Sequence, residues 1–264
     1  MNITWLASYP KSGNTWVRFL LYSAMYGQPK NSLDIAKKFP DIHRAIPFDT
    51  PIDGQMMCKS HFAFSEQHPK SDQTKQAVLI IRDPRDVLFS ALNYRRLAGL
   101  TKDQMSDALY AKRFITHGGD PDFQAAGFGS WESHIRSWQD QKQFPVLTVR
   151  YEQLKAGTAT TLKSVGEFLG ESFGDQAIER AVKASSFVSM RAMEIREKHQ
   201  HAKKSPASKQ PGSLFIGTDQ ARQSKTFFMN SGKTGQSLNS ISPEIEKTFH
   251  ARFHDAMVEF GFGD

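Results

Sequence analysis

The residues with the clearest chemical potential form a short loop near the start of the chain. The loop reads SYPKSGNTW at positions 8–16 and follows the apolar run 3–7. Ser12 and Gly13 are small enough for consecutive backbone N–H groups to converge, and a helix beginning near Thr15 would add the positive end of its dipole. Lys11 supplies a mobile cation. This strand, loop and helix start predict a binding site for an anion such as phosphate.

The order of residues in this loop differs from that of the common nucleotide triphosphate loop. That loop reads G-x-x-x-x-G-K-[ST], with its Lys after the last Gly. Here Lys11 precedes Gly13, and no GK[ST] lies near it. The order argues against an ordinary ATPase.

A second segment, IIRDPRDVLFS at positions 80–90, also has the residue types of a phosphate site. An apolar strand ends at Arg82, Asp83 and Pro84 lead into a helix, and Ser90 follows two helical turns later. The Arg82 guanidinium and the Ser90 hydroxyl could both face the crevice at the carboxyl end of the strand. Together they could hold a phosphate through charge-assisted hydrogen bonds.

A third segment, CKSHF at positions 58–62, lies at the end of another predicted strand. Its His61 has the side chain best suited to accept a proton from a hydroxyl near neutral pH. Lys59 adds a cation two residues before it. The chain holds nine histidines; His43 and His68 are nearby in sequence without a comparable context, and we expect their replacement to leave catalysis unchanged.

In this order the three segments resemble the cytosolic-type sulfotransferases, which use 3′-phosphoadenosine 5′-phosphosulfate (PAPS) as sulfuryl donor. PKSGNTW is similar to their 5′-phosphosulfate loop, with Asn14 in place of a Thr, and Arg82 followed by Ser90 is similar to their 3′-phosphate motif. KSH is similar to their K-T-H segment. The resemblance implies that His61 is the general base, and that Lys11 and Lys59 neutralise charge on the transferring group.

Weaker similarities extend the implied donor site. VRYEQLKAG at 149–157 resembles a segment whose Tyr lies near the adenine, and SSFVSM at 185–190 resembles one that gives a hydroxyl and an aromatic ring to adenine binding. Trp16 matches the second aromatic. The resemblance thus implies a set of residues that bind PAPS or its product PAP: Lys11, Ser12, Gly13, Asn14, Thr15, Trp16, Arg82, Ser90, Tyr151, Ser185, Phe187, Asn230, Ser231, Gly232 and Lys233.

The C-terminal part departs from the family pattern. The family often has R-K-G-x-x-G-x-W, whereas FFMNSGKTGQSL at 227–238 has neither that Arg nor that Trp. Backbone N–H groups around Gly232, with Lys233 or Lys225, could serve the 3′-phosphate instead. The dimer motif of the family is not recognisable between 238 and 246, so the oligomeric state stays open.

Predicted strands and helices, which must position these residues, alternate along the chain. Apolar runs predict strands at 3–7, 56–59, 77–81 and 146–149, and helical spacing predicts helices at 16–26, 84–96, 131–141, 161–169, 175–184 and 243–260. This pattern predicts an α/β fold with a P-loop-like central parallel β-sheet, helices on both faces and a helix-rich C-terminal part. We expect one domain, 1–264. Residues 95–128 are predicted to be loop-rich, and with 28–55 and 191–226 to shape the substrate pocket.

Composition limits the classes of protein to which the chain can belong. A net charge of +7 favours an anionic partner, and the basic segment 196–213 is predicted to be a mobile loop. The lone Cys58 excludes an intramolecular disulfide and a multi-cysteine zinc site, and no residue cluster requires a metal. No apolar run is long enough for a bilayer, and the N-terminus has no signal-peptide pattern. These features predict a cytoplasmic protein with no integral membrane contact.

The function predicted is sulfuryl transfer from PAPS to a hydroxyl of a small-molecule acceptor, such as an alcohol, a phenol, a natural product or a lipid headgroup. A kinase-like phosphotransferase is the alternative, although it normally needs GK[ST]. A nucleic-acid-binding protein is a further alternative; it would have a basic stripe with interleaved aromatics, whereas the basic residues here are dispersed, so no nucleic acid partner is expected. Several aromatic side chains predict a partly apolar acceptor pocket: Phe39, Phe48, Phe62, Phe64 and Tyr94.

Overall fold

A central sheet of four parallel strands organises the chain. The computed structural model describes residues 2–44, 54–100, 105–202, 215 and 225–263. The strands are β1 (Asn2–Ser8), β2 (Gln55–Ser60), β3 (Thr74–Ile81) and β4 (Val146–Arg150), in the order β2-β1-β3-β4. Because β2 and β3 lie on opposite sides of β1, the strand order reverses there. In open parallel sheets, ligands bind at such a reversal, beyond the carboxyl ends of the strands.

Helices surround the sheet and make up most of the C-terminal part. Their bounds are α1 Asn14–Tyr26, α2 Ser32–Lys38, α3 Pro84–Ala98, α4 Asp107–His117, α5 Pro121–Ala125, α6 Trp131–Gln139, α7 Tyr151–Ala156, α8 Thr158–Leu169, α9 Asp175–Ala184, α10 Phe187–Ala202 and α11 Pro243–Glu259. Two short 3₁₀ turns lie at Ser71–Gln73 and Leu238–Ser240.

Both faces of the sheet are buried, because the strands are apolar at nearly every position. On one face Trp5 and Leu79 pack in a cluster with residues of α4, α6 and α11. On the other face Leu6 and Val78 pack in a second cluster with residues of α1, α2, α8 and α9. The predicted parallel sheet with helices on both faces is confirmed.

Two predictions about irregular segments are wrong. The region 95–128 holds α4 and α5, because Ser106 caps α4 through Leu109 N–H and the helix buries Tyr110 and Phe114 in the core. The first part of the basic segment, 196–202, continues α10, where the Glu197 carboxylate accepts hydrogen bonds from Ser32. Residues 203–213 of that segment, and Phe48, lie outside the described residues.

None of the helices in the described ranges combines the length and the apolar composition that crossing a bilayer requires.

Candidate active site

The loop after β1 has the backbone shape of an anion site. Lys11 has a φ of 72° and Gly13 a φ of 106°, so both adopt left-handed conformations. Such a conformation is uncommon for a residue other than glycine, and strain of this kind clusters at functional sites. Helix α1 begins at Asn14, and no side chain caps it. Its first N–H groups are therefore left for another acceptor.

Close packing explains the glycine in this loop. A Cβ added to Gly13 would lie 2.5 Å from Cδ2 of Tyr151, which is far too close for a real contact. The same ring lies edge-on to Trp16, with 5.4 Å between the ring centroids. The loop, the start of α1 and the start of α7 therefore form one packed corner.

Asn14 ties this corner to the sheet. Its side-chain amide donates to the carbonyl of Leu6 at 2.8 Å and to the Ser8 hydroxyl at 3.2 Å. Those donors are consequently turned away from the loop. What Asn14 offers an anion is its backbone N–H group.

One cavity of about 410 Å³ lies at the carboxyl ends of the strands. This volume is in the range of small-molecule sites. Many of the predicted donor-site residues line it, namely Lys11, Gly13, Asn14, Thr15, Trp16, Arg82, Ser90, Tyr151, Phe187, Asn230, Ser231 and Gly232. Lys59 and His61 line it as well. The structure therefore brings together residues that are up to 221 positions apart in sequence.

The Lys11 ammonium group lies between two aromatic rings in this cavity. Nζ is 4.0 Å from the ring centroid of Phe228 and 4.6 Å from that of Tyr94. Burial, with Lys59 and Arg82 nearby, lowers the pKa of Lys11 to about 7. An anion placed beside Nζ would restore the proton, since opposite charge favours the ammonium form.

Arg82 joins three parts of the site. Its guanidinium donates to the carbonyls of Lys11 at 3.3 Å and Lys233 at 2.7 Å, and it lies 4.2 Å from the ring centroid of Tyr151. Its Nε atom is buried and has no hydrogen-bond partner within the described part of the chain. Ser90 lies on α3, the helix that follows Arg82, and lines the same cavity.

His61 is held in one tautomer by the main chain of β1. Its Nδ1 atom lies 2.7 Å from the carbonyl oxygen of Ser8. A carbonyl only accepts, so Nδ1 carries the hydrogen and Nε2 keeps its lone pair. Burial, with some help from Lys59, holds the pKa of His61 well below its ordinary value. The imidazole is therefore neutral at pH 7 and able to accept a proton.

Lys59, predicted to be a cation near the transferring group, has a carboxylate partner. Its ammonium group forms a buried ion pair with Asp41, with 2.6 Å between Nζ and Oδ2. Burial lowers the pKa of Lys59 to about 8, although Asp41 acts in the opposite direction. Burial alone would raise the pKa of Asp41, but Lys59 and His61 hold it below its usual range. The Asp41 carboxylate therefore partly balances the positive charge of Lys59 at the cavity.

Three predicted residues lie outside the cavity wall. The side-chain oxygens of Ser12 and Ser185 are buried, and neither has a hydrogen-bond partner among the residues described. Lys233 is exposed, and what it contributes is the carbonyl that Arg82 binds. The roles of these three residues in nucleotide binding therefore stay predictions.

A hydrogen bond connects the donor loop to the opposite wall of the cavity. The Tyr9 hydroxyl accepts the Asp120 N–H at 2.8 Å. The preceding Gly119 has a φ of 156°, and a Cβ there would lie 2.4 Å from that hydroxyl oxygen. Three residues further on, Phe123 lines the cavity.

Comparison with known proteins decides the family. The family model described as "Sulfotransferase domain" matches residues 2–261. The chain belongs to the sulfotransferase domain family. The family that the loop motifs resemble is therefore confirmed.

Among curated relatives of this sulfotransferase-family chain is mouse sulfotransferase 2A1, 28% identical over 195 residues, which is 70% of this chain and 65% of that protein. Rat sulfotransferase 2A1 is 26% identical over 262 residues, covering 97% of this chain and 84% of that protein. The chain therefore spans slightly less than two thirds of the mouse relative that it matches, and more of the rat one.

Solved structures share the fold of this family member. A retinol dehydratase in complex with androsterone and PAP matches with a TM-score of 0.70 and 17% identity, over 97% of this chain and 80% of that one. Mouse sulfotransferase SULT7A1 complexed with PAP matches with a TM-score of 0.67 and 21% identity, over 97% and 84%. Likenesses at this level of identity show the fold.

Several residues of this sulfotransferase-family cavity were missed by sequence reasoning. His43 and Asp41 approach His61 and Lys59 from the loop after α2, and the paired spacing D-x-H and K-x-H was the available signal. Of the predicted aromatics, Tyr94 lines the cavity, whereas Phe39 and Phe64 are in the core. Five further aromatic residues of the wall were not singled out from the sequence, namely Phe89, Phe123, Phe128, Phe215 and Phe228.

Proposed function

We propose that this protein transfers a sulfuryl group from PAPS to a hydroxyl group of a small-molecule acceptor. The observation that carries the proposal is the grouping, in one cavity, of an uncapped helix start, the buried cations Lys11 and Arg82, and the neutral imidazole of His61. The first three suit a multiply charged anion, and the last suits a hydroxyl that must lose its proton.

The residues present fit a nucleotide with phosphate groups at two positions. The α1 start and Lys11 would hold the 5′ side, while Arg82, with an unpartnered Nε, and Ser90 would hold the 3′-phosphate. Trp16 and Phe187 would flank the adenine from the cavity wall. Support also comes from the relatives, because two solved structures with this fold are complexes with PAP.

The chain's own residues then divide the chemistry between them. When bound, PAPS supplies an activated sulfuryl group for direct, in-line transfer to the acceptor oxygen. His61 accepts the acceptor's proton at Nε2, since its Nδ1–H is committed to the Ser8 carbonyl. Lys11 and Lys59 stabilise negative charge that grows during transfer, and they do so in a site that is already organised.

The acceptor we propose is an alcohol or phenol on an apolar body. Phe89, Phe123 and Phe128 line the same cavity as His61, and Phe128 lies 5.8 Å from the His61 ring, centroid to centroid. Apolar walls with few polar groups are typical of small-molecule sites. Androsterone and retinol are bound in structures of retinol dehydratase, which shares this fold.

Calorimetry with PAP and AMP tests the donor site. PAP is expected to bind about tenfold to a hundredfold more tightly, because a charge-assisted hydrogen bond contributes about 1.5–3 kcal/mol. Arg82→Ala should remove most of this preference, and Arg113→Ala, on the exposed side of α4, should leave it intact. Equal affinities in the unmodified protein would contradict the 3′-phosphate assignment. A preference for ATP with magnesium would favour the kinase alternative.

A turnover assay with labelled PAPS and a panel of alcohols and phenols, combined with the same calorimetry, tests the role of His61 as the base. His61→Ala should keep the PAP affinity and lower the rate about 10²- to 10⁴-fold. His117→Ala, on the exposed end of α4, is the matched control. Loss of PAP binding in His61→Ala would instead make His61 a nucleotide-binding residue.

A further inference from the structure

The loop after α2 runs beside the end of β2 as an extra, very short strand. Asp41 and Lys59 form an isolated parallel bridge. The Lys59 N–H donates to the Pro40 carbonyl at 2.8 Å, and the Ile42 N–H donates to the Lys59 carbonyl at 3.3 Å. Asp41 then opens a turn, in which the Arg44 N–H donates to the Asp41 carbonyl at 2.9 Å and the His43 N–H donates to the Asp41 carboxylate at 3.0 Å. This turn places the His43 ring beside that of His61.

Two contacts join this segment to the end of β2. Asp41 forms the ion pair with Lys59, and two residues later the His61 backbone N–H donates to Nε2 of His43 at 2.8 Å. The rings of His43 and His61 are nearly parallel, with 5.6 Å between their centroids and 14° between their planes. D-x-H therefore lies alongside K-x-H, residue for residue.

We propose that His43 is the positioning residue for His61, holding the backbone of the base so that its Nε2 faces the acceptor. The inference rests on the proposed sulfuryl transfer, and it replaces the expectation from the sequence that a change at His43 leaves catalysis unchanged. His61 then has two anchors, one from its N–H to His43 and one from its Nδ1–H to the Ser8 carbonyl. Two anchors fix both the position and the direction of the ring, and a small misplacement of a reacting group is costly to the rate.

The surroundings of His43 suit it to a permanent acceptor role rather than to that of a second base. Its Nε2 lone pair is already used by the His61 N–H. The rings of Phe62 and Phe128 pack against it at 4.5 and 4.9 Å between centroids. Burial and the nearby Lys59 lower the pKa of His43 to about 4. The ring therefore stays neutral and keeps its acceptor across the physiological range.

Two variants test the hydrogen-bond acceptor of His43 separately from its ring. His43→Gln keeps an oxygen that can accept the His61 N–H, whereas His43→Phe keeps an apolar ring and removes the acceptor. For His43→Phe we expect kcat to fall about tenfold to a hundredfold, with KM for the acceptor and the Kd of PAP within about twofold. His43→Gln should restore kcat to within about threefold of the unmodified protein.

A second measurement does not depend on turnover. Amide hydrogen exchange at His61, followed by NMR, should be about tenfold faster in His43→Phe than in His43→Gln, because only Gln replaces the acceptor. His117→Phe and His117→Gln, on the exposed end of α4, are the matched controls and should change neither rate nor exchange. His43→Leu replaces His43→Phe if the larger ring prevents folding.

The outcomes distinguish this inference from the proposed function. Unchanged kcat in His43→Phe, equal kcat in the Gln and Phe variants, or equal exchange at His61 would each overturn the positioning role. If the unmodified protein transfers sulfuryl to no alcohol or phenol, the proposed function fails. The exchange comparison then still decides whether His43 holds His61.

Discussion

The protonation state of Lys11 should depend on the ligand that binds beside it. Its ammonium group lies between the rings of Tyr94 and Phe228, and burial lowers its pKa to about 7. Near pH 7.5 a large fraction of Lys11 is therefore unprotonated. A phosphate beside it would shift that balance toward the charged form, since opposite charge raises the pKa of a lysine.

We expect PAP binding to take up a proton, roughly half a proton or more at pH 7.5. Affinity for PAP should accordingly fall as the pH rises from 7 to 9. Lys11→Met keeps an unbranched side chain between the two rings and removes the charge. Calorimetry in buffers of different ionisation enthalpy should show less proton uptake in this variant, with thermal unfolding little changed. Equal uptake in both proteins would assign the proton to another group, such as Lys59.

At the scale of elements, the segment 226–236, which we call the strap, depends on two buried carboxylates. Glu194 of α10 accepts the N–H groups of Phe228 at 2.6 Å and Met229 at 2.9 Å. Asp86 of α3 accepts those of Gly235 at 3.1 Å and Gln236 at 3.2 Å. Between these two anchors the strap supplies Asn230, Ser231 and Gly232 to the cavity wall.

Loosening one anchor should weaken nucleotide binding without unfolding the sheet. In Glu194→Gln the amide NH₂ faces one of the two backbone donors, so one hydrogen bond is lost. Hydrogen exchange at Phe228 and Met229 should be about tenfold faster, and PAP affinity about fivefold to tenfold lower. Glu244→Gln, in the exposed first turn of α11, is the control. Faster exchange with unchanged PAP affinity would show that the strap is not part of the nucleotide site.

The sequence predicted the elements that have local or periodic signals. All four strands, α1 and α3 were found because strand apolarity, helical spacing and an Asp-Pro start are readable within a few residues. The anion loop and the Arg82–Ser90 pair were found for the same reason, and most of their residues line the cavity.

The rest of the site depends on contacts that no local pattern shows. His43 accepts from His61, 18 positions away, and Asp86 holds Gln236, 150 positions away. Helix α10 was partly missed because its buried carboxylates make it polar along its length. The ion pair of Lys59 could not be predicted either, since its partner Asp41 lies in a separate segment.

At the scale of the whole molecule, this basic chain has a net charge of +7 and places two of its lysines, Lys11 and Lys59, at the cavity. Burial lowers the pKa of Lys11 to about 7 and of Lys59 to about 8, against about 10.4 for an unfolded lysine. Between pH 7 and 8.5 the unfolded chain therefore binds more protons than the folded one. Stability must rise with pH in that window.

Urea unfolding at pH 7.0 and 8.5 tests this sign. The free energy of unfolding should increase, with a slope of about 1 kcal/mol per pH unit. Lys11→Met should flatten the slope, while Lys112→Met, on the exposed face of α4, should not. Above this window Cys58 acts in the other direction, because burial raises the pKa of its thiol to about 12. Stability that falls from pH 7 to 8.5 would contradict the buried-cation account.

The hydrogen bond between Tyr9 and Asp120 limits which loops could replace the segment that carries Phe123 to the cavity wall. Tyr9 belongs to the anion loop, and Asp120 caps the start of α5, the helix that carries Phe123 to the cavity. A loop grafted from a relative to alter acceptor choice would have to keep the glycine at 119 and the N–H at 120, since a Cβ at 119 would meet the Tyr9 hydroxyl. Acceptor preference in this scaffold is therefore best redesigned by side-chain replacement beyond residue 120, with the backbone of that junction left intact.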